Sequence, residues 1–141
     1  MNYLAAKGLI NYRFQLEQTR INKELDLYLK SVSDLVKRNK DKRDMVVNTL
    51  FTCHVKNAMQ IIKARLQVEK DVRKRIGMPL EDSDTKEIVN ILELIISSQE
   101  QALSRRLQGL TVRPPHNGKI VFENLRTQLP EILHSFSEEF R

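Results

Sequence analysis

Few residues in this chain interrupt regular structure. Its 141 residues include only four glycines, four prolines and one cysteine, and there is no tryptophan. So few helix breakers in a chain of this length predict long, uninterrupted helices. The lone cysteine, Cys53, excludes an intramolecular disulfide. Because disulfides are rare in reducing compartments, we expect an intracellular protein of the cytoplasm or nucleus.

Long apolar runs are also missing from the sequence. No run approaches the length of about 18 residues that a membrane-spanning helix needs. The N-terminus does not have the pattern of a signal peptide, which is a basic segment followed by an apolar one. Hydrophobic residues make up 40% and charged residues 30% of the chain, which is typical of an ordered globular protein without membrane insertion.

Catalytic and metal-binding patterns are weak. Cys53 and His54 are adjacent, so on a helix their side chains would point about 100° apart and would not readily share a metal. The glycines are isolated, and the acidic residues near Asp82 are typical of a helix start rather than of a calcium loop. We therefore expect a protein that is not an enzyme, with no metal, no cofactor and no small-molecule substrate.

The first predicted helix runs from about residue 2 to residue 39. Its apolar residues recur with alternating spacings of three and four, which forms a narrow seam along one side of the helix. Two interpretations stay open: the seam packs on the chain's own bundle, or it forms an interface between chains in a coiled coil. The candidate oligomer interface consists of Phe14, Ile21, Leu25, Tyr28, Val32 and Leu35.

Two more long helices follow, at about residues 43–76 and 83–108. The apolar stripe of the second helix is broad, which indicates contact with more than one neighbour. Gly77 and Pro79 end the second helix, and Gly109 ends the third. The sequence thus predicts an all-α protein: an elongated helical bundle of three to four helices with a long N-terminal coiled-coil-like hairpin.

The C-terminal section changes character. Two β-prone pieces, residues 110–113 and 119–122, flank an Asn-Gly turn and could form a small β-hairpin near residues 110–122. A plain ordered linker is the alternative, because two strands alone are marginal in water. A last helix is expected at about residues 128–140. This organisation predicts a helical domain over residues 1–110 and a linker, β-prone segment and helix over residues 111–141.

Positive charge is concentrated in the N-terminal half. Residues 1–76 carry 17 Lys and Arg against 8 Asp and Glu, whereas residues 77–141 carry 7 against 10. Within the second helix, basic residues recur about every seven positions and form one stripe. Such a row can follow a phosphate backbone without reading bases, since no aromatic residues interleave with it. The candidate nucleic-acid contacts are Lys56, Lys63, Lys70, Arg73, Lys74 and Arg75.

Two resemblances point in the same direction. The segment Ile61–Ile76, an acidic break and the apolar helix around IVNILELI together resemble the helical domain of GINS replication-complex subunits over about a third of the chain, without that family's small β domain. The order of helical hairpin, Pro/Asn linker, short β piece and terminal helix is similar to the layout of some phage small-terminase subunits. Both resemblances imply an oligomeric component of a DNA machine.

Two functions follow from these patterns as expectations. The first is a non-enzymatic oligomeric subunit of a nucleic-acid-associated complex, of the DNA replication or packaging type, that binds the DNA or RNA backbone without sequence preference. The second is a protein–protein adaptor or structural assembly component, a homo- or hetero-oligomer that does not bind nucleic acid.

Overall fold

The computed structural model describes residues 2–38, 43–109 and 118–140, and all of its regular secondary structure within them is helical. These residues form five helices in chain order: α1 (Tyr3–Arg38), α2 (Arg43–Ile76), α3 (Asp82–Gly109), α4 (Gly118–Thr127) and α5 (Leu129–Glu138). The prediction of an all-α helical bundle is confirmed. The bounds of the first three helices fall within one residue of those that the apolar periodicity and the breakers predict.

Side-chain contacts fix the direction of the three long helices. Bonds from Tyr3 to Asp84 and from Asn22 to Gln99 show that α1 and α3 run parallel. Asn22 of α1 bonds to Asn57 of α2, and Arg13, which lies earlier in α1, pairs with Asp71, which lies later in α2. These two contacts show that α1 and α2 run antiparallel. The three helices therefore form one bundle in which each contacts the other two.

The predicted coiled-coil character of the N-terminal hairpin is not confirmed by this arrangement. α1 and α2 lie side by side and antiparallel, but α3 packs along α2 and reaches α1 through side-chain bonds, so the pair is part of the bundle. The physical reason is the breadth of the apolar surface, because residues such as Leu50, Ile61 and Ile62 of α2 are all fully buried. A stripe this wide needs more than one neighbour.

The predicted β-hairpin is also corrected where it can be compared. Its second piece, residues 119–122, lies in α4 instead of a strand, and so does Gly118 of the turn, whereas the first piece and the rest of the turn lie outside the described residues. Phe122 and Leu125 are both buried, at the spacing of three residues that shares a helix face. Burial on the bundle decides the outcome, because an isolated two-stranded hairpin has no such surface to cover.

The ends of the helices follow ordinary capping chemistry. Gly77 has φ of 69°, and the Met78 N–H bonds to the Arg73 carbonyl at 2.9 Å, which closes α2 in a Schellman motif. At the start of α3, the Asp84 carboxylate accepts the Glu81 N–H at 3.1 Å, which is half of a capping box. The short Gly77–Glu81 connection therefore turns the chain sharply, so that α3 returns along α2.

The C-terminal helices belong to the main core. Phe122 and Leu125 of α4 and Leu129, Leu133 and Phe136 of α5 are buried in one cluster with residues of α1, α2 and α3. A smaller cluster of Ala6, Ile10, Val68 and Val72 closes the end where α1 begins. The predicted boundary near residue 110 lies in a segment outside the described residues.

Candidate interaction surfaces and the buried polar networks

The predicted basic stripe is only partly exposed. Lys56, Lys63 and Arg75 are exposed, and Lys74 is exposed with its ammonium 5.9 Å from the Phe140 ring centroid. Lys70 forms an ion pair at 2.9 Å with Glu139, the residue that caps the end of α5. The C-terminal helix therefore places a carboxylate against the middle of the stripe.

Arg73 does not belong to the exposed stripe. Its side chain is 2% exposed and its guanidinium contacts Glu69 at 2.6 Å, Asp84 at 3.4 Å and the Pro79 carbonyl at 2.7 Å. A guanidinium so enclosed by acceptors has no surface to offer a phosphate. Arg73 is therefore removed from the predicted nucleic-acid contacts and assigned to the interior of the fold.

Glu69 lies at the centre of a buried ionic network. Its second oxygen accepts from Arg65 at 2.5 Å, and both residues are nearly fully buried. Asp84 extends the network to α3, and the Tyr3 hydroxyl of α1 donates to Asp84 at 3.0 Å. Two guanidinium groups thus face two carboxylates, so the buried charges balance.

Asp84 is held in its charged form by this network. Burial alone would raise the pKa of its carboxyl, but hydrogen bonds from the Glu81 N–H and the Tyr3 hydroxyl, together with Arg73, outweigh burial and lower the pKa below its ordinary value. The spacing of Arg65, Glu69 and Arg73, each four residues apart, was the available signal for this cluster. The same residues also fit a solvated face, which is why the sequence alone did not reveal the network.

A second buried network is neutral and links the three long helices. The Asn22 Oδ1 accepts from Asn57 at 2.9 Å and from Gln99 at 3.1 Å. Because the Gln99 amide nitrogen donates to Asn22, its oxygen faces the His54 Nδ1 at 3.0 Å, and that nitrogen carries the proton. The His54 Nε2 is buried and has no hydrogen-bond partner among the described residues.

His54 is consequently held neutral. Burial lowers the pKa of its imidazole below the ordinary value of 6.5; the Gln99 bond and Asp26 oppose this shift, whereas Arg106 adds to it. Between the folded-state pKa and 6.5 the unfolded chain binds more protons at this site than the folded chain does. The free energy of unfolding must therefore fall as the pH drops below 6.5.

We expect this acid sensitivity to disappear in His54→Gln. Urea unfolding at several pH values between 6.5 and about 5 measures it, since most carboxylates stay ionised in that window. The wild-type free energy of unfolding should decline as the pH drops through the window, and the variant should show a flatter profile. His134→Gln is the matched control, because that ring is 73% exposed. An equal decline in wild type and His54→Gln would contradict the assignment.

The predicted seam on α1 is divided by the fold. Phe14 and Ile21 are buried in the chain's own core, and the Arg65 guanidinium lies 5.8 Å from the Phe14 ring centroid. Leu25 and Val32 are half-buried against the same core. Tyr28 and Leu35 remain 55% and 46% exposed. Phe14 and Ile21 are thus corrected from interface residues to core residues, because they are already covered within the chain's own core cluster.

Cys53 lies half-buried on α2. Burial raises the pKa of its thiol, and Lys56 lowers it only in part, so the thiolate that a nucleophile needs is disfavoured. Within the described ranges, no three His, Cys, Asp or Glu side chains are grouped so that they could hold a metal. None of the helices in those ranges is long and apolar enough to cross a membrane.

No protein-family model, curated protein or solved structure matches this chain. The candidate surfaces therefore rest on the residues and the geometry of this chain alone.

Proposed function

We propose that this chain is a non-enzymatic assembly component that binds a second copy of itself through the exposed apolar side chains of α1. One observation carries the proposal: seven of the ten exposed large hydrophobic residues of the described chain lie on this one helix, which contributes Tyr3, Leu4, Tyr12, Leu16, Leu27, Tyr28 and Leu35. Scattered apolar residues are normal on a surface, but Tyr28 and Leu35 continue the heptad seam of α1 and stay exposed, which leaves part of that seam uncovered.

The pattern of α1 favours a second copy over an unrelated partner. Tyr28 and Leu35 stand seven residues apart, in register with the buried Phe14 and Ile21, which is the spacing that pairs helices. The exposed Glu24 lies beside these two side chains, whereas Lys23, Lys30 and Asp34 lie on the far side of α1. An apolar seam that continues beyond the core can pack against the same seam of a second copy.

Light scattering on the purified protein tests this proposal. We expect a mass of at least two chains of 16.5 kDa each. Replacing both Tyr28 and Leu35 with Asp should weaken association by about tenfold or more, because two carboxylates would be desolvated in the interface. Leu94→Asp is the matched control, since Leu94 is 69% exposed but lies on α3. A monomeric wild type, or equal weakening by the control, would contradict the proposal.

A second candidate function is binding of a nucleic-acid backbone along α2. Lys56, Lys63, Lys74 and Arg75 are exposed and form no ion pair within the described part of the chain. Lys56 and Lys74 are separated by about 27 Å along the helix, so the row could follow several phosphates. Lys70 and Arg73 are occupied by carboxylates, which leaves fewer cations for this role than the sequence predicts.

The same light-scattering experiment separates the two functions. If the protein binds the nucleic-acid backbone, adding a random-sequence duplex should raise the measured mass at low salt. At about 0.5 M salt the complex should dissociate, because binding releases condensed counterions. Lys56→Glu with Lys63→Glu would abolish this uptake. An oligomer that does not bind the duplex at either salt concentration would support the assembly function and contradict backbone binding. For either function, an intracellular reducing compartment stays the expected location.

A further inference from the structure

A groove of about 550 Å³ runs along the surface where the first half of α3 and α5 pack together, and neither function proposed above uses it. Asp82, Thr85, Val89 and Glu93 line its α3 side, at spacings of three and four that place them on one face of the helix. From Asp82 to Glu93 this face is about 16 Å long, which is the length of about three helical turns.

Contacts at its two ends define the shape of the groove. Arg126 of α4 bonds to Ser97 and Glu100, one to two turns beyond Glu93 on α3. At the other end, Glu139 pairs with Lys70 of α2, and Phe140 lines the groove together with Pro79 and Leu80. α5 therefore runs antiparallel to α3, and the two helices form the two sides of the groove.

The base of the groove is apolar. Leu129 and Leu133 of α5 are buried, and Leu80, Val89 and Phe140 are half-buried, so the chain itself covers only part of this surface. A cleft with apolar walls and a few polar groups at the rim is the usual form of a binding groove. A surface groove of this length between two packed helices suits a third helix, which would lie on top of both.

The charge of the rim is opposite to that of the whole protein. The chain carries a formal charge of +6, yet Asp82 and Glu93 are exposed at the groove and form no ion pair within the described residues. The positive charge of Arg126, the one arginine of the lining, is balanced by Glu100 at 2.8 Å and Glu123 at 2.6 Å. The rim therefore presents a carboxylate near each end of the α3 wall.

We propose that this groove binds a basic amphipathic helix of a partner protein, about three turns long, with apolar side chains facing Val89 and Leu133 and a Lys or Arg near each of Asp82 and Glu93. Charge complementarity selects this occupant, because an acidic helix would place its own carboxylates against those of the rim. The apolar base and the polar side chains of the rim share the contact surface, and the two rim carboxylates provide selectivity.

Two designed peptides test the proposal on the full chain. Both are helical, about three turns long, with a leucine stripe; one carries Lys near each end and its twin carries Glu at the same positions. Fluorescence anisotropy should show that the Lys peptide binds at least about tenfold more tightly at low salt. Amide shifts of isotope-labelled protein should cluster at Val89, Leu133 and His134, which line the groove.

Single charge reversals locate the contact. Asp82→Lys and Glu93→Lys should each weaken Lys-peptide binding by about fivefold, whereas Glu131→Lys should change it by less than about twofold. Glu131 is an exposed carboxylate of α5 that does not line the groove, so its reversal changes the net charge equally. Glu93→Lys lies inside α3 and avoids the helix start, which keeps the test valid if Asp82→Lys is destabilised.

Three results would overturn the proposal: equal affinity for the two peptides, no binding of the Lys peptide, or equal weakening by Glu131→Lys and Glu93→Lys. The variant with Asp at positions 28 and 35 should bind the Lys peptide as the wild type does. If that variant loses the peptide, the site is the surface of α1 and the groove assignment is wrong. The groove and the α1 interface can thus fail independently.

Discussion

Glu69→Gln is expected to lower the free energy of unfolding by about 3–5 kcal/mol, a large part of the stability of a domain of this size. The change keeps the shape of the side chain but removes the negative charge between Arg65 and Arg73, whose side chains are 5% and 2% exposed. A guanidinium left in the interior without its carboxylate loses both water and counter-charge.

Urea unfolding followed by far-ultraviolet circular dichroism measures this loss. Glu17→Gln is the matched control, since it makes the same chemical change in a surface pair with Arg20 and should cost less than about 1 kcal/mol. Equal costs for the two variants would show that the buried network does not have the energetics assigned to it.

A double variant separates lost charge balance from lost packing. Arg65→Met with Glu69→Leu removes one positive and one negative charge and leaves Arg73 facing Asp84 at 3.4 Å. Because the remaining charges balance and the new side chains are apolar, we expect this variant to be more stable than Glu69→Gln alone. A double variant that is less stable than Glu69→Gln would place the cost in packing instead of charge.

Phe122→Ala is the second large effect, with an expected loss of about 3–5 kcal/mol. Phe122 is 1% exposed and lies in the core cluster with Leu125 and Leu129, so truncation removes a fully buried ring and leaves a cavity. The adjacent Val121 is 38% exposed. Val121→Ala should therefore change stability by less than about 1 kcal/mol.

Leu125→Ala extends this test to the secondary structure of the segment. Residues three positions apart share a face in a helix but point to opposite faces in a strand. We expect a cost of about 2–4 kcal/mol for Leu125→Ala, comparable to that of Phe122→Ala. A large cost at residue 122 with almost none at residue 125 would favour the strand over α4. The same denaturation series measures all three variants.

The sequence alone was sufficient for the three long helices. Helix starts and ends depend on neighbours within a few residues: Gly77 reaches its left-handed conformation without steric cost, and Pro79 cannot continue α2. Apolar periodicity likewise depends on the chain's own spacing. α4 was missed because its β-branched residues favour a strand locally, whereas the burial of Phe122 and Leu125 on the bundle favours a helix.

For the candidate site residues, the sequence succeeded where a residue's surroundings are local and failed where they are not. Lys56 and Lys63 were placed correctly on an exposed face, because their surroundings consist mostly of their own helix. The burial of Arg73 depends on Asp84 of α3 and on the Pro79 carbonyl, and that of Phe14 and Ile21 depends on the core that the other helices help to build. These partners lie outside the helix that carries the residue, so the local spacing fits a buried cluster and a solvated face equally well.

The sequence by itself determined that this protein is helical, where its three long helices run and that positive charge is concentrated in its first half, since these properties depend on residue type and short-range spacing. Only the tertiary structure decided which charges are buried in pairs, which apolar residues of α1 stay exposed and that a groove with acidic ends lies between α3 and α5. The reason is physical: burial and ion pairing are set by the packing of distant segments, and the same amphipathic helix can turn a given residue toward the core or toward a partner.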